Sequence, residues 1–253
     1  MAFCICKFSQ QYLLYSHTKH QHEFFDSPPT CKSYVVFSTP RCGSSLLCEA
    51  LCNTGLAGAP TEYFDENTRL EFCRQWQVES WDDYLATLLK KKTGPQGVFG
   101  FKAHFHQYEI AFGVEQLPPL FPGLRFICLT RQDKVRQAIS YSKAIQTNQW
   151  SSLLPSTNES PKFDFQQIKQ LLRQTENEEQ RLEAFLQRHA IVPLKLVYEE
   201  IVDAPFEAAR RCLDFLGEDV PADLQCSPLT LCKQSDQLTE LWVEQYHATK
   251  DSI

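Results

Sequence analysis

The sequence of 253 residues has no excess of positive charge: its 25 Lys and Arg stand against 31 Asp and Glu, which gives a net charge of −6. Non-specific binding to nucleic acid depends on Lys and Arg that neutralise phosphates, so we expect no nucleic-acid partner. A small anion can still bind, because a local cluster of Arg and backbone N–H groups is positive even on an acidic protein. Hydrophobic residues make up 43% of the chain, enough for an ordinary core.

The 11 cysteines lack the paired C-x-x-C spacing that is typical of zinc sites, and their number is odd. Several, such as Cys48, Cys52 and Cys128, fall inside predicted strands or helices, where a reduced thiol serves as a small apolar side chain. We therefore predict no disulfide framework and no metal site. Scattered reduced thiols also favour a cytoplasmic location.

The N-terminal segment lacks the apolar run of a signal peptide or membrane span, because Lys7 follows its short apolar stretch at once. The segment also carries three histidines that could bind a metal, although we prefer to interpret them as part of a solvated lead-in: His17, His20 and His22. We predict a flexible extension over residues 1–32 and one folded domain over residues 33–253.

The rest of the chain alternates between strand and helix patterns. Strands are predicted at 34–38, 98–102, 124–129 and 193–198, and helices at 44–54, 81–92, 133–147, 163–189 and 205–216, with 59–79 as loop and a short helix. Strands separated by helices predict an α/β fold: a single P-loop-type αβα domain with a central parallel sheet. Ligands of such sheets bind at the carboxyl ends of the strands.

One loop, from Ser38 to Ser45, follows the first predicted strand and leads into a helix. This layout aims free backbone N–H groups and a helix N-terminus at an anion. Compared with the phosphate loop G-x-x-x-x-G-K-[ST], it keeps Gly43 and Ser45 but has Ser38 for the first Gly and Ser44 for the Lys. Arg41 lies inside it. We predict a phosphate site that is not built to cleave Mg²⁺–NTP, which needs the Lys.

A second anion site is predicted where another strand ends. Arg131 leaves the third predicted strand, and Ser140 lies on the helix that follows. Arg presents a bidentate fork to phosphate oxygens. Arg131 and Ser140 together could therefore hold a second phosphate.

These motifs together resemble the sulfotransferase superfamily, and most closely the trehalose 2-sulfotransferase-like family. The shared features are the anion loop, an x-P-x-E-[FY]-F motif, a strand-end Arg, Q-A-[IV]-S, A-[IV]-Q-T-x-x-W and a match to R-Q-[AS]-D. They occur at residues 39–47, 54–64, 131, 137–140, 144–150 and 233–236. The folded domain over residues 33–253 is therefore predicted to be a sulfotransferase domain.

The resemblance implies 3′-phosphoadenosine 5′-phosphosulfate (PAPS) as the donor. A sulfuryl group carries less charge than a phosphoryl group, so its transfer needs no Mg²⁺. The donor-binding residues that the resemblance implies are Arg41, Cys42, Gly43, Ser44 and Ser45 for the 5′-phosphosulfate and Arg131 and Ser140 for the 3′-phosphate, with Lys233 as a further phosphate contact. Cys42 replaces the usual Ser or Thr of the family, so only its backbone N–H remains as a donor.

The acceptor hydroxyl needs a base, and two candidates remain open. The resembled family assigns this role to the Glu of its x-P-x-E-[FY]-F motif, here Glu62, and burial beside aromatic residues would raise the pKa of that carboxyl. His104 is the alternative, because K-x-H at a strand end is similar to the K-T-H of cytosolic steroid and phenol sulfotransferases. Arg41 and Lys102 are predicted to stabilise charge near the sulfuryl group.

We therefore predict a PAPS-dependent sulfotransferase that acts on a hydroxyl of a small molecule, a sugar or glycolipid. Ala59 stands where the family has an acidic residue, so the acceptor need not be trehalose. A P-loop kinase or NTPase-like nucleotide-binding protein is the alternative, which Ser44 disfavours, and a non-catalytic nucleotide-binding module is a third. Tyr198 is interpreted as an anchor of the sheet. The family includes dimers, and residues 146–150 with the 163–189 helix could serve a homodimer interface.

Overall fold

The computed structural model describes residues 23–24, 28–115, 117–121, 123–158 and 160–252. The strands are β1 (Lys32–Ser38), β2 (Val98–Ala103), β3 (Arg125–Thr130) and β4 (Leu194–Val197). The helices are α1 (Ser44–Asn53), α2 (Glu66–Trp76), α3 (Trp81–Lys92), α4 (Phe105–Phe112), α5 (Lys134–Thr147), α6 (Phe165–Arg188), α7 (Tyr198–Ile201), α8 (Pro205–Leu216) and α9 (Gln237–Asp251).

The four strands form one parallel sheet in the order β2-β1-β3-β4. Successive side chains of β1 point to opposite faces. Tyr34 and Val36 pack with α1 and α8 on one face, while Val35 and Phe37 pack with α3, α4 and α6 on the other. The predicted α/β fold with a central parallel sheet between two layers of helices is confirmed.

The chain leaves β1 for β2 on one side of the sheet, and β3 pairs with the other side of β1. A crevice therefore opens at the carboxyl end of β1, the position at which open α/β sheets bind ligands. The loop after Ser38 begins there, as does the segment after Thr130 at the end of β3. The sheet topology thus brings both predicted anion sites to one edge.

Four helices were missed or predicted too short, among them the four-residue α7. The short helix expected within residues 59–79 is the 11-residue α2, whose Asp65 side chain accepts a hydrogen bond from the Thr68 backbone N–H. The helix α4 follows β2 at once and begins with a capping box between His104 and Gln107. Asp236 caps α9 in the same way as Asp65 caps α2. The helices α2, α4 and α9 each begin at a polar capping residue, and the hydrophobic pattern alone does not reveal such a start.

Residues 1–22 and 25–27, including the three histidines, lie outside the described residues, so the flexible extension stays a prediction. Residues 23–24 and 28–32 of the predicted extension are described, and Glu23 and Phe24 contact the domain. The Glu23 carboxylate accepts from Trp76 Nε1 at 2.8 Å and pairs with Lys91 Nζ at 2.7 Å. The Phe24 backbone N–H donates to the Lys91 carbonyl at 2.8 Å. Glu23 and Phe24 therefore bind at α2 and α3.

Candidate functional site

The loop between β1 and α1 turns its cysteine inward and its arginine toward the crevice. Cys42 is fully buried, and its Sγ lies 3.0 Å from the Thr39 carbonyl and 3.4 Å from the Leu129 carbonyl. Burial raises the pKa of the Cys42 thiol to about 11, so it stays protonated. The thiol therefore fixes the loop to the core, and only the backbone N–H of Cys42 is left for an anion.

Gly43 closes the loop at a position that only glycine fits. Its φ is 82°, and a Cβ there would lie 2.5 Å from Cδ2 of Tyr198. The Tyr198 ring in turn lies under Arg131, with 4.5 Å between the guanidinium carbon and the ring centroid. Tyr198, which the sequence suggested only as an anchor of the sheet, is thus a wall of the crevice between the two predicted anion sites.

Replacing Gly43 by Ala is expected to lower the free energy of unfolding by about 2–5 kcal/mol, the sum of overpacking and left-handed backbone costs. Gly55→Ala is the matched control, because Gly55 has φ 72° but nothing within 4 Å of an added Cβ. Gly55→Ala should lower the free energy of unfolding only by the cost of the left-handed backbone conformation, about 1–2 kcal/mol. Denaturant unfolding of both variants measures the difference. Equal losses would mean that contact with Tyr198 does not constrain the loop.

Arg41 ties three separate segments to the loop. Its Nε donates to Ser140 Oγ at 3.0 Å, its Nη1 to the Trp150 carbonyl at 2.6 Å and its Nη2 to Gln234 Oε1 at 2.5 Å. Arg41 itself has φ 66°, a left-handed conformation that costs an L-residue roughly 1–2 kcal/mol. The guanidinium thus reaches from the predicted 5′-site to Ser140 of the predicted 3′-site. Lys233, next to Gln234, is exposed on the rim of the same crevice.

Arg131 lies directly beside Arg41. Its Nη1 donates to the Arg41 carbonyl at 3.3 Å, and its Nε is 3.9 Å from a carboxylate oxygen of Glu199. That Nε is buried and makes no hydrogen bond to any of the described residues. A buried N–H without an acceptor is costly, so an acceptor brought by a ligand would be favourable here.

The predicted catalytic residues also meet in one place. Lys102 Nζ contacts Oε1 of Glu62 and donates to Ser45 Oγ at 3.2 Å. Gln107 Nε2 donates to Glu62 Oε2 at 3.1 Å, and His104 Nε2 lies 4.0 Å from the same oxygen. Lys102 therefore joins the anion loop to the carboxylate. Gln107 was not predicted, because only the turn at the start of α4 brings it back toward Glu62.

The prediction of a raised pKa for Glu62 is wrong. Burial does raise the pKa, but the charges of Lys102 and His104 and the hydrogen bonds from Lys102 and Gln107 outweigh it. The net effect lowers the pKa of Glu62 to about 2. The sequence showed the aromatic neighbours Tyr63 and Phe64 but not that the Lys102 ammonium touches the carboxylate.

His104 is held in one tautomer by the backbone. Its Nδ1 lies 2.7 Å from the Ser38 carbonyl, which can only accept a hydrogen bond, so Nδ1 carries the proton. In the neutral imidazole the other nitrogen, Nε2, is then unprotonated, and this is the nitrogen that faces Glu62. His104 is therefore also arranged to accept a proton.

The predicted catalytic and donor-binding residues, except the buried Cys42, line one cleft of about 800 Å³. The rings and apolar side chains of Tyr198, Val202, Pro205, Leu229 and Leu231 form part of its wall, and amide and hydroxyl side chains form much of the rest. The cleft thus offers two arginines for anions, apolar surface for a flat ring, and a carboxylate beside a lysine for proton transfer. A nucleotide with phosphates at two positions and a hydroxyl acceptor match this set of groups.

The sequence matches the family model described as Stf0 sulphotransferase over residues 33–249, most of its length. The chain belongs to the Stf0 sulphotransferase family. It is similar to the trehalose 2-sulfotransferase of Mycobacterium tuberculosis (strain ATCC 35801 / TMC 107 / Erdman), with 26% identity over 264 residues that cover 86% of this chain and 95% of the relative. The trehalose 2-sulfotransferase of Mycolicibacterium smegmatis (strain ATCC 700084 / mc(2)155) is 27% identical over 265 residues, covering 87% and 97%.

Among solved structures, a sulfotransferase from Alicyclobacillus acidocaldarius aligns with a TM-score of 0.44 and 16% identity over 88% of this chain and 92% of that one. The resemblance to sulfotransferases drawn from the motifs is confirmed by the family match, and this Stf0 sulphotransferase is a sulfuryl-transferring enzyme.

Three other features of this Stf0 sulphotransferase concern the part of the chain that the structure describes. No three His, Cys, Asp or Glu residues there are grouped so that they could hold a metal ion. None of the helices there has both the length and the apolar character needed to cross a membrane. The cysteines from Cys31 to Cys232 are all free thiols.

Proposed function

We propose that this Stf0 sulphotransferase moves a sulfuryl group from PAPS to a hydroxyl of a sugar. The contact between Arg131 Nη1 and the Arg41 carbonyl carries the proposal, because the arginines of the two proposed anion sites are neighbours in one cleft. A donor with phosphates at both ends of one nucleoside needs two such sites at short range. Glu62 in the same cleft supplies a group for the acceptor.

The donor is held, in this proposal, by groups that the cleft already presents. PAPS supplies an activated sulfuryl group on its 5′-phosphate. Backbone N–H groups of residues 43–45 and the N-terminus of α1 bind the 5′-end. Arg131 and Ser140 bind the 3′-phosphate, and the buried Nε of Arg131, which has no hydrogen-bond acceptor among the described residues, can donate to an oxygen of the ligand. Arg41 reaches both ends, since it lies in the loop and contacts Ser140.

The acceptor in this proposal is an uncharged sugar, and trehalose is the first candidate because both relatives are named for it. Neutral hydrogen-bonding side chains line the cleft near Glu62, among them Asn67, Gln107 and Tyr141. Ala59, which replaces an acidic residue, is buried, and the Tyr63 hydroxyl contacts its carbonyl. Because Ala59 is buried, the absence of an acidic side chain at this position is a weak argument against trehalose as the acceptor.

Glu62 acts as the base and His104 stays the alternative. The hydroxyl proton passes to Glu62 Oε2 as the hydroxyl oxygen attacks sulfur, and the bond from sulfur to the phosphate oxygen breaks. Arg41, Lys102 and the loop N–H groups stabilise the charge that grows on that leaving oxygen. The groups needed for in-line transfer thus stand on neighbouring elements of the fold.

A transfer assay with ³⁵S-labelled PAPS tests the proposal. Trehalose, other disaccharides and a glycolipid extract serve as acceptors, and adenosine 3′,5′-bisphosphate is measured alongside. We expect label in a sugar and one bisphosphate released for each sugar labelled. Absence of transfer to every acceptor, together with Mg²⁺-dependent ATP turnover, would favour the P-loop kinase or NTPase alternative.

The cytoplasmic location, the homodimer and the absence of a nucleic-acid partner stay predictions. Native mass spectrometry decides the oligomer. A homodimer through residues 146–150 should be disrupted when Ile145, which is 43% exposed beside them, is replaced by Asp. An unchanged dimer mass would exclude that interface.

A further inference from the structure

The pair between Glu62 and Lys102 poses a chemical conflict. A general base is effective when its pKa lies near the working pH. The contact with the Lys102 ammonium stabilises the charged carboxylate and so weakens it as a base. With the pKa of Glu62 at about 2, the resting site would take up a hydroxyl proton poorly. A step of the catalytic cycle must therefore weaken the contact between Glu62 and Lys102 before Glu62 can accept the hydroxyl proton.

The position of Lys102 indicates what weakens its contact with Glu62. Its Nζ already bridges from Glu62 to Ser45 Oγ, at the end of the loop where the 5′-end of the donor is proposed to bind. The backbone is fixed, because Lys102 belongs to β2 and its N–H donates to the Thr61 carbonyl at 2.9 Å. Only the end of a flexible side chain has to move. Anionic oxygens that arrive at the loop compete with the carboxylate for this one ammonium.

We propose that donor binding switches on the base: the donor's anionic oxygens draw Lys102 from Glu62 and thereby restore the basicity of the carboxylate. This inference rests on the proposed function. Lys102 then stabilises the leaving oxygen while Glu62 accepts the hydroxyl proton. Lys102 thus contacts the Glu62 carboxylate in the free enzyme and the donor's leaving oxygen during transfer. The acceptor is activated only when a donor is present.

The other titratable groups around Glu62 do not replace Lys102 in this role. Asp65, one turn along the chain, and Tyr141 from α5 face the carboxylate from the cleft side. His104 faces it from the end of β2, and His106 at the start of α4 is held by Glu178, with 2.9 Å between Nδ1 and Oε1. Among these groups, Lys102 is the one that touches both the carboxylate and a side chain of the anion loop.

The experiment measures the carboxyl pKa of Glu62 by ¹³C NMR of protein labelled at the Glu side chains. The Glu62 signal is assigned as the one missing from Glu62→Gln. Titrations are run without ligand and with saturating adenosine 3′,5′-bisphosphate. We expect a pKa well below the ordinary Glu value in the free enzyme and a rise of about 1–3 units in the complex.

A Lys102→Met variant separates release of the lysine from the charge of the ligand itself. In this variant the free Glu62 should already show the raised pKa, and the ligand should move it much less than in the wild type. A wild-type pKa that stays low in the saturated complex overturns the inference, and so does an equal rise in both proteins. The wild-type titration decides the first point even if the variant does not fold.

Calorimetry on the same samples keeps this inference apart from the proposed function. Tight binding of the bisphosphate without a change in the pKa of Glu62 would leave the donor proposal standing and overturn only the switch. No heat of binding would overturn the donor proposal, and the switch with it.

Discussion

Replacing Glu62 by Gln is expected to lower the rate of sulfuryl transfer by about 10²–10⁴-fold, the usual contribution of a general base. Gln has the same shape and keeps a hydrogen-bonding oxygen for Lys102 and Gln107, so the cleft should persist. It cannot take the hydroxyl proton. Donor binding should be retained, because the Arg41 and Arg131 contacts are not touched, and the switch predicts that it becomes tighter, since no carboxylate then competes for Lys102. Single-turnover transfer rates and calorimetry measure the two quantities separately.

Asp65→Asn is the matched control for this substitution. Asp65 is the next carboxylate along the chain, lines the same cleft and caps α2 through the Thr68 backbone N–H at 3.0 Å. Asn keeps the cap, and transfer should stay within a few-fold of the wild type. If Glu62→Gln retains full activity while His104→Gln loses it, the base is His104, whose Nε2 lies 4.0 Å from Glu62 Oε2.

Replacing Arg41 by Ala is expected to lower kcat by about 10²–10³-fold, the effect of removing one preorganised donor at a developing negative charge. The fork-shaped guanidinium makes three hydrogen bonds, to Ser140, to the Trp150 carbonyl and to Gln234. Lys cannot reproduce these three bonds, so Arg41→Lys should recover only part of the loss. Initial rates at saturating donor and acceptor measure kcat for both variants.

Arg136→Ala is the control for Arg41→Ala. Arg136 also lines the cleft, but its guanidinium is paired with Glu240 and Asp133 on the surface. Surface pairs of this kind contribute about 0–1 kcal/mol, so loss of Arg136 should change kcat only slightly. An Arg41→Ala enzyme that is as active as Arg136→Ala would remove Arg41 from the catalytic groups.

The sequence predicted the parallel sheet and the loop after β1 because both depend on local patterns. Buried β-branched and aromatic runs marked the strands, and the order of Arg41, Gly43 and Ser45 marked the anion loop. In these elements the predicted and the observed ends of the strands and helices differ by a few residues at most. Local chemistry also placed Arg131 and Ser140 on adjacent elements, and the structure brings them to the same edge.

The parts that the sequence did not predict depend on contacts between distant segments. Gln234 reaches Arg41 across 193 positions, and Lys102 lies against Glu62 although 40 residues separate them in the chain. The packing of Tyr198 on Gly43 depends on how β4 delivers α7 over the loop. The pKa of Glu62 was therefore predicted in the wrong direction, because its sign is set by a charge whose position only the fold determines.

The most direct test of the two-site cleft is calorimetry with adenosine 3′,5′-bisphosphate and adenosine 5′-monophosphate. We predict that the wild type binds the bisphosphate at least about tenfold more tightly, since a charge-assisted hydrogen bond contributes about 1.5–3 kcal/mol. Arg131→Met should lose most of this preference while its affinity for the monophosphate changes little. Equal affinity of the wild type for both nucleotides would contradict the claim that Arg41 and Arg131 hold opposite ends of one donor.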